Sequence, residues 1–141
     1  MKKNENGRSM VEMLGVLAII GVLSVAGLKG YTIAMRKYRA NEIAHVISMM
    51  ATAMRTANGG EGIDAEHQKT YKELLEVDSD LAGVDSLMAT SDTTILLETD
   101  ENPELCEAVE QLFGDDHSNP IYVNSTNTDC DEDQLELVVN N

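Results

Sequence analysis

From Met10 to Leu28 the chain reads MVEMLGVLAIIGVLSVAGL, nineteen residues whose only charge is Glu12. At about 1.5 Å of rise per residue this is roughly 28 Å of helix, close to the hydrocarbon thickness of a bilayer. A secretory signal peptide has a shorter apolar core followed by a small-residue cleavage motif. Here the run passes into a second helical pattern with no turn signal between, so it predicts a helix that stays in the mature chain and spans a membrane. Ile43, Val46, Ile47, Met50, Met54 and Ala57 then recur at three- and four-residue spacing, the stripe of an amphipathic helix. Arg36, Arg39, His45, Ser48, Thr52 and Arg55 mostly fall off that stripe. Asn58-Gly59-Gly60 and Gly62 supply the stop. The pattern therefore predicts one helix of about 48 residues, its first half in lipid and one face of its second half covered by the rest of the chain.

Beyond the glycines the elements are short. Ala65–Val77 reads as a short helix with Tyr71, Leu74 and Leu75 inward. Thr93–Thr99, rich in β-branched and aliphatic residues, reads as a strand. Asn102-Pro103 opens a helix through Phe113, because proline suits the first helical position. Ile121–Val123 and Leu135–Val139 read as further strands. The predicted fold class is α+β, with a long N-terminal helix and a small antiparallel head of about three strands whose order the sequence does not give.

Charge divides the chain at the same place. Residues 1–58 carry Lys2, Lys3, Arg8, Lys29, Arg36, Lys37, Arg39 and Arg55 against Glu5, Glu12 and Glu42. Residues 59–141 hold only Lys69 and Lys72 against the other 22 of the chain's 25 acids, and the whole chain is at −15. Phosphates would be repelled by that half, so no nucleic-acid partner is expected. With no Trp and one Phe, any core in the second half is aliphatic. Methionines along the N-terminal half suit packing against varied neighbours.

No nucleophile–base pairing, phosphate loop or metal-ligand cluster is visible, so neither an enzyme nor a cofactor is expected. Asp78-Ser79-Asp80-Leu81-Ala82-Gly83 begins like a calcium loop, but Ala82 replaces a ligand and Ala89 stands where the closing Glu belongs. Asp129, Asp131, Glu132 and Asp133 read as a solvated acidic edge, with a non-standard cation site as the alternative. His45 and His67 have no ligand spacing around them and read as surface residues.

Glu12 asks for a reason. A carboxylate at the centre of a spanning helix costs about 2.5–3.5 kcal/mol, less near its end. It either reaches the headgroups or protonates, or it meets a positive partner on a neighbouring subunit. Cations flank the apolar run on both sides, so their count does not orient it.

The stretch Gly7-Arg8-Ser9-Met10-Val11-Glu12, followed by the apolar run, resembles the N-terminus of prepilins, the precursors of type IV pilins and type II secretion pseudopilins. In that family a short basic leader ends in Gly and a dedicated membrane peptidase cuts after it. The new terminal amine is methylated, and Glu stands fifth in the mature chain. The resemblance implies a leader MKKNENG, cleavage between Gly7 and Arg8, and Glu12 as that fifth residue. Ile19-Ile20-Gly21 matches the helix-weakening glycine that often follows an Ile-Ile pair. The match covers about residues 1–40. Arg8 departs from the apolar residue usual after the cut, and Lys29 stands where many type IV pilins have proline.

What the resemblance implies is physically coherent. Cleavage frees an α-amine able to neutralise Glu12 of the adjoining subunit, and that pair favours one stagger between helices because other registers leave the acid uncompensated. Gly15, Gly21 and Gly27, with Ala18 and Ala26, permit close helix approach in lipid. The implied division is a leader at 1–7, a transmembrane segment at 8–28, an amphipathic continuation at 29–58 and an acidic α+β head at 59–141. The implied place is the bacterial inner membrane, single-pass, with a cytoplasmic N-terminus and an extracytoplasmic head, the filament lying in the periplasm or at the cell surface. The implied partners are prepilin peptidase, identical or related pilin subunits, an inner-membrane assembly platform and the bilayer.

Cys106 and Cys130 fall in the head. The family commonly closes a C-terminal loop with a disulfide, the natural state of two thiols outside the cytoplasm. A redox pair would want C-x-x-C, and a metal site a second pair nearby. The expected function is a structural subunit of a type IV pilus-like filament. The alternatives are a minor pseudopilin of a secretion or DNA-uptake system and a single-span anchored binding protein with an acidic head.

Overall fold

The computed structural model describes residues 6–57, 63, 68–128 and 130–140, and of residues 6–9 and 57 the backbone alone. The chain divides into two compact units, Met1–Met35 and Arg36–Asn141. Helix α1, Asn6–Ala57, contributes to both.

Within the first unit, residues 10–34 of α1 are exposed throughout, among them Met10, Leu14, Leu17, Ile20, Leu23 and Leu28. Ser24 Oγ donates to the Ile20 carbonyl at 2.8 Å and Thr32 Oγ1 to that of Lys29 at 2.9 Å. These hydroxyls are therefore satisfied by the helix's own backbone.

The second unit is an α+β domain. Its elements after α1 are β1 (Lys69–Thr70), α2 (Tyr71–Leu75), β2 (Val84–Ser91), β3 (Thr94–Thr99), α3 (Pro103–Phe113), β4 (Ile121–Val123), a 3₁₀ turn (Cys130–Glu132) and β5 (Gln134–Val139). The strands form one antiparallel sheet in the order β1-β2-β3-β5-β4. Period-two alternation sends Leu87, Ala89, Ile95, Leu97, Leu135, Leu137 and Val139 to the core. Cross-strand register stacks them in rows, with Leu97 opposite Leu87 on one side and Leu135 on the other. Ala40, Ile43, Ile47, Met50, Ala51 and Met54 of α1 and Leu105, Cys106 and Val109 of α3 join the same buried cluster. Of the stripe read from the sequence, Val46 is half-buried, and the Ala57 side chain lies outside the described residues. Two polar ties reinforce this packing. Arg36 ion-pairs with Glu104 of α3, and Arg55 donates to the Asn140 carbonyl at 2.6 Å.

The head has five strands where the sequence reads about three. β2 is missed because Ser86, Ala89, Thr90 and Ser91 are small or polar, without the branched run that marks a strand. β1 is two residues long, below any pattern. The helix expected over Ala65–Val77 contracts to Tyr71–Leu75, with residues 64–67 outside the described set. Its start is a capping box. Thr70 Oγ1 accepts from the Glu73 N–H, while Glu73 accepts from the Thr70 N–H at 3.0 Å. That backbone bond holds the Glu73 carboxyl below the usual carboxylate range.

Gly83, which precedes β2, has φ +84°, and a Cβ there would lie 2.9 Å from Leu105 Cδ2. Gly83→Ala is therefore expected to lower head stability by about 1–2 kcal/mol from left-handed backbone strain alone. A urea midpoint that falls at unchanged slope checks it, and an unchanged midpoint would contradict it.

Candidate functional site

Gly7 and Arg8 lie in the first turn of α1, whose helical backbone begins at Asn6; their side chains are outside the described residues. Glu12 follows Gly7 by five positions, about 7.5 Å of helical rise. It is exposed, and from Met10 to Leu28 it is the sole ionisable group. Among the described residues α1 is the one helix long and apolar enough to cross a membrane. Local sequence explains this. The segment has no proline, its glycines are spaced apart, and its apolar residues face every direction instead of one stripe.

Beyond the adjoining residues and the helix's own backbone, no atom lies within 4 Å of where a Cβ would stand at Gly15, Gly21 or Gly27. Nothing within the chain therefore demands glycine at these positions. Steps of six residues turn a helix by about 600°, so the three glycines open three different faces.

Cys106 and Cys130 form a disulfide with Cα atoms 5.5 Å apart. It joins α3 to the 3₁₀ turn that leads into β5. Cys106 is fully buried beside Leu105 and Val109. Cys130 is half-buried. The bond is thus part of the core, which suits a structural role more than an exchanging one.

Of the acidic edge read from the sequence, Glu132 and Asp133 line a groove of about 210 Å³ together with Asp85, Glu98, Thr99, Glu101 and Gln134, while Asp131 is exposed outside it. Asp129 lies outside the described residues. Glu98 accepts from Ser86 Oγ at 3.0 Å and from Gln134 Nε2 at 3.2 Å. Thr99 Oγ1 lies 3.4 Å from Asp133 Oδ1. Neutral donors of the sheet thus serve these carboxylates, and among the described residues no group of three ligands is placed to hold a metal ion.

His45 is exposed on α1, on a shallow open shelf with Ser48, Met49, Thr52, Ala53 and Thr56. Ser48, Thr52 and Thr56 donate to backbone carbonyls of the preceding turn, at 2.8–3.0 Å for the shortest bonds. His67 lies outside the described residues. The structure adds a ring contact the sequence gave no sign of, between His117 and Tyr122, with centroids 4.3 Å apart.

The structure brings the two cysteines together and gathers acids from β2, β3, the turn after β3, the 3₁₀ turn and Asp133 just before β5 along one groove. Gly7, Arg8 and Glu12 form a separate group in the first unit. Comparison with protein-family models, with curated proteins and with solved structures returns no match.

Proposed function

We propose that this chain is a structural subunit of a type IV pilus-like filament, cut by a prepilin peptidase between Gly7 and Arg8 and assembled through its N-terminal helix. The observation that carries the reading is Glu12, the one ionisable residue from Met10 to Leu28 of an exposed apolar helical run, five positions after Gly7. An exposed apolar run of this length requires cover. Lipid supplies it before assembly, and neighbouring copies of the same helix supply it after.

Three further features support the reading. The glycines leave room on three faces of the helix, as close packing against several neighbours requires. The second half of α1 is built into the head's core through Ile43, Ile47, Met50 and Met54, so head and assembly segment belong to one helix. A disulfide closes the C-terminal part of the head, as in the family. In this reading the protein's partners are the peptidase, the inner-membrane platform and other subunits. Its head lies outside the cytoplasm, and the chain performs no catalysis.

Intact-mass and N-terminal peptide analysis of the protein from its native membrane tests the proposal. The expected mature chain begins at Arg8, with or without an added methyl group. A chain still beginning at Met1 in cells with an active peptidase would overturn the reading. It would favour a single-span anchored binding protein, with Arg8 blocking the cut.

A further inference from the structure

From Met10 to Met35, in the first unit, the chain holds two charged residues, Glu12 and Lys29. Lys29 comes directly after Leu28, where the apolar run stops, and it is exposed. It makes no ion pair or side-chain hydrogen bond among the described residues. Glu12 stands 17 positions before it, about 25 Å along the helix. Charges are screened within about 8 Å at physiological salt, so Glu12 does not compensate this ammonium.

The helix beside Lys29 has room for a headgroup. Ala26 and Gly30 stand four residues apart on the flank next to it. At Gly30, beyond the adjoining residues and the helix's own backbone, no atom lies within 4 Å of where a Cβ would stand. The surface there is low, and a phosphate can approach the helix closely. Helical side chains lean toward the helix N-terminus, which lays the Lys29 methylenes along the end of the apolar run while the amine turns back to the polar side. Tyr31, two residues on and around the far side of the helix, is 64% exposed. An exposed tyrosine at this level suits the aromatic belt of a bilayer, so Lys29 and Tyr31 mark one depth from two sides.

We propose that Lys29 binds the phosphodiester headgroups of anionic lipids, seated in the notch left by Ala26 and Gly30. This rests on the reading that residues 10–28 span a bilayer. The contact fixes the depth of the span at this end, because a slide of one turn would carry the ammonium about 5 Å into hydrocarbon. It also gathers anionic lipid around each subunit before assembly.

The test uses the full chain reconstituted in phosphatidylcholine vesicles at low salt. Traces of spin-labelled phosphatidylglycerol or spin-labelled phosphatidylcholine are added, and electron paramagnetic resonance resolves the lipid immobilised at the protein surface. The native chain should immobilise the glycerol lipid more than the choline lipid. A cation at the surface is worth about 1 kcal/mol, or about fivefold, so K29Q should cut that preference by up to about fivefold, while K29R retains it. A preference that K29Q leaves unchanged would overturn the proposal and pass the selectivity to the chain's other cations. Equal immobilisation of the two lipids by the native chain would overturn it as well, and would leave Lys29 for an acid of a second copy. If neither label shows an immobilised fraction, the span itself is wrong, and the proposal falls with the reading beneath it.

Discussion

On the proposed function, Glu12→Ala should leave the chain in the membrane and abolish filament assembly. Membrane insertion gains from the change, since alanine removes a carboxylate worth up to about 2.5–3.5 kcal/mol against insertion. Assembly loses, because the amine freed at Arg8 of one subunit would meet no acid on its neighbour. Removing one partner of a buried pair costs about 3–5 kcal/mol, roughly two to nearly four orders of magnitude in the equilibrium for each contact. Over a filament of many contacts that loss is complete. Electron microscopy of cells in which the variant is the sole subunit, with membrane fractionation in parallel, checks both halves. Normal filaments from the variant alone would sink the proposed role of Glu12. Loss of the protein from the membrane would mean that Glu12 serves insertion instead.

The second large effect concerns the head alone. Cys106→Ala with Cys130→Ala should lower its stability by about 3–4 kcal/mol, the loop-closure entropy released by a cross-link over a separation of 24 residues. For a domain of this size each kcal/mol shifts the melting temperature by about 4–8 °C, so a fall well beyond 10 °C is expected. Reductant should produce a similar shift in the native chain, because both treatments free the same loop. If thiol titration shows complete reduction while the melting temperature stays fixed, the bond contributes little and the burial of Cys106 carries that region by itself.

Much of this architecture is legible in the residues. Period 3.6 reveals the α1 stripe because one side of it packs on a sheet and the other does not, so Ile43, Ile47, Met50 and Met54 stand apart from Thr52 and Arg55. Asn102-Pro103 marks the start of α3 by local chemistry alone. Asn102 accepts from the Leu105 N–H at 3.1 Å, and Pro103 occupies a position that needs no donor. β3, β4 and β5 show because their inward residues are large and branched. β2 does not, because its place in the sheet is set by its neighbours. Ala89 is fully buried opposite Ile95 and suits that spot by being small, which strand propensity does not register. Thr70-Tyr71-Lys72-Glu73 carries a capping box in plain sequence, and it marks α2 better than the apolar residues do. The acidic groove escapes any linear reading, because Asp85, Glu98 and Asp133 meet only through a sheet order that sequence does not give.

That sheet order also sets a sequence of events. β5 lies between β3 and β4, yet its first residue, Gln134, comes long after Thr99 closes β3. Until residues 134–139 arrive, β3 and β4 each keep an open edge, the condition in which strands pair with the wrong chain. With free thiols, the intervening helix, strand and turn all belong to one long loop that insertion of β5 must close. Once Cys106 and Cys130 are joined, the path from β3 to β5 runs through the sulfurs and is about threefold shorter, which lowers the entropic cost of insertion by about 1 kcal/mol. Oxidation before strand insertion therefore shortens the time the head spends with its middle missing, so an oxidant would act on this chain as a folding catalyst as well as a stabiliser.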